Sequence, residues 1–406
     1  MPENPELTVL IHSAFPLSDG TPDGVKDSII QLKPHLEEEG IRVILVGPRT
    51  KNNLADFTFG RSIPVKVNNT VVKGGFSLNR YKISSILNKV KPDLVEAVAP
   101  EAAPFTTHTL LSAIDRMQEI PTTVAHFHSR AEKLDIKTTL IAYLGSLRGP
   151  VLRKRLIPFG LSSGVFNTIL YHYDARIASS EDTAKFWEDR FGMKDFHIIQ
   201  NGVDIDTMRP NLPIKQEWQD GKKTIFTSCR HDLRKGIAVL LEAYYLLTKV
   251  DGRDDIKLKI GGEGDCTPDH KRLAEELRLP DVEFLGVQTR EMLARSFCSA
   301  DVSAFSSKGG EGWGRVLLEA EACGSLVLAT DIDGFRQALF GSPYTEMAKP
   351  GDARDLADKI ANKLDMPEEE ARKARILGVK HASQYSNRNI AKRTKNVYKE
   401  ILLNRP

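Results

Sequence analysis

Apolar segments of strand length alternate with segments of helical pattern along most of this chain of 406 residues. In the first half, this pattern predicts six strands: Leu7–His12, Arg42–Val46, Leu94–Val98, Thr122–Phe127, Arg176–Ala178 and His197–Ile199. Strands that alternate with helices favour a parallel sheet covered by helices. The sequence therefore predicts an α/β fold, in which ligands bind at the carboxyl ends of the strands.

The same alternation is repeated in the second half of the chain. The strands predicted there are Thr224–Thr227, Lys257–Ile260, Val282–Leu285, Val302–Phe305 and Leu326–Ala329. Between the two arrays, residues 201–213 are rich in turn-forming residues, a composition typical of a linker. A chain of this length forms two domains of ordinary size. We therefore predict two Rossmann-like domains, residues 1–200 and 201–386, that face each other across a ligand cleft.

Composition limits the class of protein. A net charge of +3 is too small to indicate nucleic-acid binding, although it permits a local basic patch. The four cysteines lie in the second half without Cys-x-x-Cys spacing, which favours a reducing compartment. No run approaches the about 18 apolar residues of a membrane span, and the first residues lack the pattern of a signal sequence. We expect a cytoplasmic protein, either soluble or peripheral on the inner face of a membrane.

The segment from Gly309 to Gly324 carries the clearest functional signal, because a glycine-rich loop runs directly into a helix with a carboxylate at each end. Glycines let backbone approach a ligand closely, and the first amides of a helix that starts near Gly314 suit a diphosphate. Glu319 lies about 7 Å along that helix from Gly314. Glu311 and Glu319 can therefore accept hydrogen bonds from hydroxyls on opposite sides of a diphosphate, as in a sugar nucleotide.

A second loop adds two cations. Residues 228–236 follow a predicted strand and precede a predicted helix, which places Arg230 and Lys235 at the carboxyl end of that strand. Two fixed cations there would neutralise a departing diphosphate, and such stabilisation commonly contributes several kcal/mol in a closed site. Taken alone, each loop also fits ordinary solvated surface. In that alternative, both glutamates are exposed charges on an amphipathic helix. Under either interpretation, the buried stripe of the helix is Leu317, Leu318, Ala320 and Ala322.

The order of these motifs resembles retaining glycosyltransferases of family 4, which have the GT-B fold. The resemblance covers the whole second half: the Arg and Lys loop, a Gly-rich loop at residues 261–265, a Phe-Leu-Gly strand end at 284–286, and Glu-x7-Glu. It implies that Glu311 contacts the donor sugar, that Glu319 contacts the ribose, and that backbone at the Phe-Leu-Gly strand end pairs with the base. It also implies that a C-terminal helix, about residues 387–406, packs back on the first domain.

The resemblance carries over a complete set of site residues. The implied catalytic residues are Arg230, Lys235, Glu311 and His128. The implied donor-binding residues are Gly24, Val25, Gly262, Leu285, Gly286, Gly312, Trp313, Gly314, Val316 and Glu319. In the family mechanism, the sugar is transferred on the front face with retention, and a donor phosphate oxygen takes the acceptor proton. No cofactor is implied, because the nucleotide sugar is a substrate.

Two positions depart from the family pattern, and one pair of aspartates is similar to a motif of a different fold. Cys229 stands where the family usually has Gly, and Asp23 stands where many members have Gly. A negative Asp23 would repel a diphosphate, so we expect it to face the acceptor or to cap the helix. Asp331 and Asp333 imitate the Asp-x-Asp metal motif of a different glycosyltransferase fold. They follow a predicted strand, so we predict a turn or cap role and no metal.

The segments at residues 309–314 and 329–339 look most like the phosphatidylinositol mannosyltransferase branch, which implies GDP-mannose and an inositol phospholipid. Docking to an anionic membrane is compatible with the basic segment 79–91 and with 147–157, which mixes basic and apolar residues, since each basic residue near such a surface contributes about 1 kcal/mol. Basic helices are also commonly just solvated. Acceptor specificity falls in the first domain, where residues 133–167 form an insertion of unknown role.

Two other functions remain open at this stage. A soluble glycosyltransferase that uses a UDP-sugar to make a polysaccharide or a small glycoside would share every donor-side motif, and it would not bind vesicles. A sugar-nucleotide epimerase would produce an epimer without any acceptor. A binding protein without catalysis is disfavoured, because both cations and both glutamates are present.

Overall fold

The structure is a computed structural model that describes residues 5–13, 17, 24–49, 54–67, 70–76, 80–99, 110–115, 117–128 and 173–405. Backbone contacts divide the chain into two compact units. The first unit comprises residues 1–200 with 390–406, and the second comprises residues 201–389. Both units are α/β, which confirms the predicted fold class.

The first unit contains one sheet of eight strands. In chain order these are β1 Leu7–Ser13, β2 Ile41–Arg49, β3 Phe57–Val67, β4 Thr70–Phe76, β5 Leu94–Val98, β6 Thr122–Phe127, β7 Ala175–Ala178 and β8 Phe196–Ile198. Their order in the sheet is β4-β3-β2-β1-β5-β6-β7-β8. All neighbours pair in parallel except β3 and β4, which are antiparallel. The described helices of this unit include α1 Gly24–Glu38, α2 Arg80–Val90 and α3 Glu181–Phe191.

Two strands of this sheet are absent from the strands predicted from the sequence. The pattern gave six strands in the first half, whereas the structure adds β3 and β4 at the edge next to β2. Gly60, Pro64 and the Gly74–Gly75 pair interrupt the apolar period there. Pro is tolerated at the edge of a sheet, and Pro64 lies in β3 beyond Arg61, where the pairing with β2 ends. The sequence prediction missed these two strands.

The second unit is built on five parallel strands. These are β9 Lys223–Ser228, β10 Ile256–Gly261, β11 Val282–Gly286, β12 Val302–Phe305 and β13 Leu326–Ala329, in the order β11-β10-β9-β12-β13. The chain first moves outward from β9 to β11 and then returns to the other side of β9 at β12. The strand order therefore reverses between β9 and β12. In open parallel sheets, ligands bind beside such a reversal, at the carboxyl ends of the strands.

Helices cover this second sheet. They are α4 Ile237–Tyr245, α5 Thr267–Glu276, α6 Arg290–Ser299, α7 Arg315–Ala322, α8 Asp333–Ala338, α9 Ala353–Leu364 and α10 Glu368–Ser383, and one π-helical turn, Leu246–Val250, extends α4. Strand residues such as Phe226, Leu258 and Leu328 lie in one continuous core with helix residues such as Leu240 and Leu317. Strands buried on both faces are expected to be continuously apolar, and β13 has that pattern. β12 is also buried throughout, with Ser303 as its single polar residue.

The last helix, α11 Asn387–Leu403, starts in the second unit and continues in the first from Ile390. Its side chains reach residues of the first unit. Lys395 donates a hydrogen bond to the backbone oxygen of Glu39 at 2.6 Å, and the buried Tyr398 hydroxyl bonds to the Glu96 carboxylate. These contacts hold the C-terminal segment on the first sheet.

Candidate functional site

Two loops flank the reversal of strand order in the second unit. The first, residues 229–236, connects β9 to α4, and the second, residues 306–314, connects β12 to α7. Arg230 and Lys235 lie on the first loop, and Glu311 lies on the second. Both loops leave the carboxyl ends of adjacent strands, so the topology of the sheet brings these predicted site residues to one edge.

A partly buried ion pair joins the two loops. Lys235 Nζ lies 2.6 Å from Glu311 Oε1, and their side chains retain exposures of 19% and 14%. The Ser307 hydroxyl donates a second hydrogen bond to the same carboxylate oxygen at 2.9 Å. The predicted sugar-binding carboxylate and the predicted phosphate-binding ammonium are therefore partners of each other in the ligand-free protein.

Charge and burial have opposite effects on this pair. Burial alone disfavours the charged form of each group, but Lys235 and Glu311 stabilise each other, so the pKa of Glu311 is lowered and the pKa of Lys235 is raised. Both groups are thus charged at neutral pH. The site can then present a cation to a phosphate and a carboxylate to a hydroxyl without any proton transfer.

Hydrogen bonds from side chains to backbone oxygens fix the two loops against each other. Ser306 donates through its hydroxyl to the backbone oxygens of Lys235 at 3.1 Å and Gly236 at 2.9 Å. Arg234 donates from Nη1 to the Gly310 oxygen at 3.2 Å and is itself held by Asp232. At Gly236, φ is +66°, and a Cβ would lie 2.0 Å from the Ser306 oxygen. Only glycine fits this contact, so the close approach of the loops requires it.

The helices that follow these loops begin at glycines. The N-cap residues of α4 and α7 are Gly236 and Gly314, which have no side chain to accept from the first amides. By contrast, α6 is capped by the Thr289 hydroxyl and α9 by the Asp352 carboxylate. The positive ends of α4 and α7 therefore lie at the same sheet edge as Lys235, an arrangement suited to a diphosphate.

Glu319 is on the second turn of α7 and only 3% exposed. Arg290 Nη1 lies 2.7 Å from its Oε1, and Arg315 Nε lies 3.1 Å from the same atom. Burial by itself would raise the pKa of Glu319, but the two guanidinium groups lower it. The predicted apolar stripe of this helix is confirmed, since Leu317, Leu318, Ala320 and Ala322 are buried. Glu319 is not the solvated charge of the alternative interpretation.

The remaining predicted residues of the second loop have different surroundings. Trp313 is 5% exposed and packs in the core, its ring centre 5.4 Å from that of Tyr385. Val316 is half-buried against the same core. A contact of Trp313 with a ligand would therefore be made by its backbone, as with Gly312 and Gly314.

The base side of the predicted site lies at the ends of β10 and β11. Gly262 donates its amide to the Gly286 oxygen at 2.7 Å, which joins the two strand ends, and Leu285 is half-buried against the core. A Cβ at Gly262 would lie 1.9 Å from the Cys229 oxygen, so this loop is also packed on the β9 loop. Burial raises the pKa of the Cys229 thiol to about 12, which keeps it protonated. Cys229 is accommodated here as a neutral packing residue.

Three predicted site residues belong to the first unit. Gly24 and Val25 form the first turn of α1, and nothing lies within 4 Å of a Cβ built at Gly24. His128 follows β6 and is 7% exposed, with its ring stacked on His126 at 4.0 Å between ring centres. Asp23 lies outside the described residues, as do segments 133–167 and 147–157.

Four residues of the site were missed by the sequence interpretation. Ser307 and Arg234 support Glu311 and its loop, and Arg290 and Arg315 hold Glu319. Arg315 is four residues before Glu319 on one helix, a spacing that places both on the same face and could have revealed the pair. Arg290 is 29 residues away in sequence, and no local signal connects it to Glu319.

The Asp-x-Asp imitation is a surface ion-pair cluster. Arg336 lies 2.8 Å from Asp331 and 3.0 Å from Asp333, and Asp333 is the first residue of α8. The N-cap of α8 is Ile332 and no side chain caps it, so the two aspartates are ion-pair partners of Arg336 rather than helix caps. Among the described helices, none is both long and apolar enough to cross a bilayer.

Comparisons with known proteins bear on the class of protein. Residues 22–207 match the family model "Glycosyltransferase Family 4", and residues 208–376 match "Glycosyl transferases group 1". Phosphatidyl-myo-inositol mannosyltransferase of Mycobacterium tuberculosis is 30% identical over 332 residues, which covers 80% of this chain and 78% of that protein. The Mycobacterium leprae protein of the same name is 29% identical over 355 residues, covering 85% of this chain and 84% of that one.

Among solved structures, sucrose-phosphate synthase from Thermosynechococcus elongatus superimposes with a TM-score of 0.71 at 19% identity, covering 98% of this chain and all of the other. This similarity concerns the fold alone. The identity to the curated relatives shows the family, and the structural similarity shows the fold. The chain belongs to glycosyltransferase family 4 and is a glycosyltransferase with the GT-B fold.

Proposed function

We propose that this enzyme transfers a mannosyl group from GDP-mannose to a hydroxyl of an inositol phospholipid, with retention of configuration. The observation that carries this proposal is the 28–30% identity to proteins named phosphatidyl-myo-inositol mannosyltransferase over 80–86% of the chain. The site chemistry supports the same reaction class, because it combines a cation, two helix starts, the partly buried carboxylate of Glu311 and the buried carboxylate of Glu319.

In this proposal, the donor replaces the internal ion pair. Lys235 moves from Glu311 to the diphosphate, where it acts with Arg230 and the amide ends of α4 and α7. Glu311 then accepts from a sugar hydroxyl. Glu319, held by Arg290 and Arg315, accepts from the ribose hydroxyls. When Lys235 turns to the diphosphate, Glu311 keeps its hydrogen bond from Ser307 and gains one from the sugar hydroxyl, so the carboxylate stays hydrogen-bonded.

The chemical step needs no protein nucleophile. The bond from the anomeric carbon to the diphosphate oxygen breaks, and the acceptor oxygen forms a bond to that carbon on the same face. The acceptor proton passes to the departing phosphate oxygen. Arg230 and Lys235 stabilise the charge that develops on the diphosphate, a contribution of about 3–4 kcal/mol for a well-placed donor. We propose that this step needs no metal ion.

The basic helix α2 supports the proposal that the acceptor is a lipid. No acidic residue occurs from Arg80 to Lys91, and the side chains of Lys82 and Lys89 on α2 are exposed. Tyr81 beside them is 73% exposed. Each such cation contributes about 1 kcal/mol near an anionic surface, and an exposed aromatic ring suits the interface. We therefore propose that the enzyme is cytoplasmic and binds peripherally to the inner face of an anionic membrane.

The test is a transfer assay with radiolabelled GDP-mannose and vesicles of phosphatidylcholine that contain phosphatidylinositol. We expect label in the organic phase, an α-linked product by NMR, and no label with phosphatidylcholine alone. Lys235→Met should reduce transfer by about 100-fold or more. Transfer from UDP-glucose but not from GDP-mannose would contradict the donor, and transfer only to a soluble acceptor would contradict the lipid. Epimer formation without any acceptor would overturn the proposed reaction.

A further inference from the structure

A carboxylate without a role in the site described above lies beside the predicted base position. Glu263 comes directly after the Gly262 turn at the end of β10, and its side chain is exposed. A Cβ built at Gly286 would lie 3.2 Å from Glu263 Oε1, so this carboxylate lies close to the α-carbon of Gly286. Gly286 ends β11, where we place contact with the base. Glu263 is therefore adjacent to the edge that a base would present.

The backbone around Glu263 is held on both sides. Its carbonyl oxygen accepts from the His231 amide at 3.1 Å, and the preceding Gly262 amide donates to Gly286. The following Gly264 amide donates to the Thr267 hydroxyl at 2.9 Å. This support makes the position of the Glu263 α-carbon well defined, so only side-chain rotation is needed for the carboxylate to meet a ligand.

The cations near Glu263 are engaged elsewhere. Lys259 pairs with Glu283 at 2.5 Å, and Lys271 lies over the Phe284 ring at 5.8 Å from its centre. Within the described part of the chain, both oxygens of Glu263 thus remain available as acceptors. A carboxylate offers acceptors only, so it selects a ligand edge that presents donors.

Purine and pyrimidine edges differ in this respect. Guanine presents two adjacent donors, N1–H and the 2-amino group, which match the two oxygens of a carboxylate. Uracil presents a single N3–H between two carbonyl oxygens, which would repel the carboxylate. We propose that Glu263 selects the donor base by accepting hydrogen bonds from N1–H and the 2-amino group of guanine. This inference rests on the proposed use of a guanine nucleotide, and it names the residue that reads the base.

Calorimetry of the full-length protein with GDP, IDP and UDP tests this inference. IDP keeps N1–H but lacks the 2-amino group, so wild type should bind it about tenfold more weakly than GDP. Glu263→Gln should weaken GDP binding by about 10- to 100-fold, remove most of the difference between GDP and IDP, and leave UDP binding unchanged or tighter. Glu283→Gln, an exposed carboxylate on β11, serves as the matched control and should change none of the three.

Two results would overturn the inference while leaving the guanine donor in place. One is an unchanged preference of Glu263→Gln for GDP over IDP and UDP. The other is an equal loss of affinity for all three nucleotides, which would mean that Glu263 acts on the common diphosphate or on folding. A wild-type preference for UDP is a different outcome, because it would contradict the proposed donor itself.

Discussion

Removal of Lys235 should leave Glu311 as a buried charge without its cation. Deleting one partner of a buried ion pair costs about 3–5 kcal/mol, because the other charge stays desolvated. The 14% exposure of Glu311 and its hydrogen bond from Ser307 reduce this cost. For Lys235→Met we therefore expect a loss of about 2–3 kcal/mol in the free energy of unfolding. The double variant Lys235→Met/Glu311→Gln removes both charges and should recover most of that loss.

The loss of stability caused by Lys235→Met should depend on pH. In wild type, the lowered pKa of Glu311 contributes stability above its ordinary value of 4.5, and this contribution is lost as the pH falls through the folded-state pKa. The raised pKa of Lys235 contributes below its ordinary value of 10.5 and is lost as the pH rises through the folded-state pKa. In Lys235→Met, burial is no longer opposed by Lys235, so the Glu311 pKa rises. The cost of the substitution should then shrink as the pH falls towards 4.5.

Urea denaturation of the full-length protein measures the change in the free energy of unfolding. Urea is preferred because it does not screen charge as guanidinium does. Lys222→Met is the matched control, since Lys222 lies 2.7 Å from Asp281 but both side chains are exposed. We expect no measurable change in that control. The reasoning is refuted if Lys235→Met costs no more than Lys222→Met at neutral pH, or if the double variant is as unstable as the single one.

Three further predictions follow from other contacts. Gly236→Ala should destabilise the second unit by about 1–3 kcal/mol more than Gly252→Ala, because both glycines have positive φ but only at Gly236 would a Cβ meet backbone; equal urea midpoints would contradict this. Wild type should bind 2′,3′-dideoxy-GDP about tenfold more weakly than GDP in calorimetry, whereas Glu319→Gln should bind both alike, and a wild type indifferent to the missing hydroxyls would remove Glu319 from the ribose. Mannosyl transfer should continue in EDTA, and loss of transfer that Mg²⁺ restores would show that the metal-free mechanism is wrong.

Much of the fold was predictable because its strands are buried on both faces. Val302–Phe305 and Leu326–Ala329 were predicted with the bounds that the structure has, since each is a short apolar run between polar segments. Strands β3 and β4 were not predicted, because Gly60, Pro64 and the Gly74–Gly75 pair interrupt their apolar period. Local pattern is therefore sufficient where a strand is a continuous apolar run, as in β13 at the edge of the second sheet, and fails where Gly and Pro break the run.

The candidate site was predictable only where its residues are close in sequence. Glu311 and Glu319 are found together because one loop and one helix carry them. The burial of Glu319 depends on Arg290, and that of Glu321 depends on His381, which lies 60 residues away and 2.7 Å from its carboxylate. Those partners are set by the packing of α6 and α10 on α7. Local sequence therefore predicted Glu311, Glu319 and Lys235, but not Arg290, which holds Glu319 from a distant helix.

The central claim is that the loops after β9 and β12 bind the nucleoside diphosphate through Lys235. The most direct measurement is calorimetry of GDP with wild type and with Lys235→Met/Glu311→Gln, which removes the ion pair without leaving a lone buried charge. We predict that the double variant remains folded and binds GDP about 10- to 100-fold more weakly, since one charge-assisted contact to phosphate is lost. Equal affinity of the two proteins for GDP would contradict the assignment of this sheet edge as the donor site.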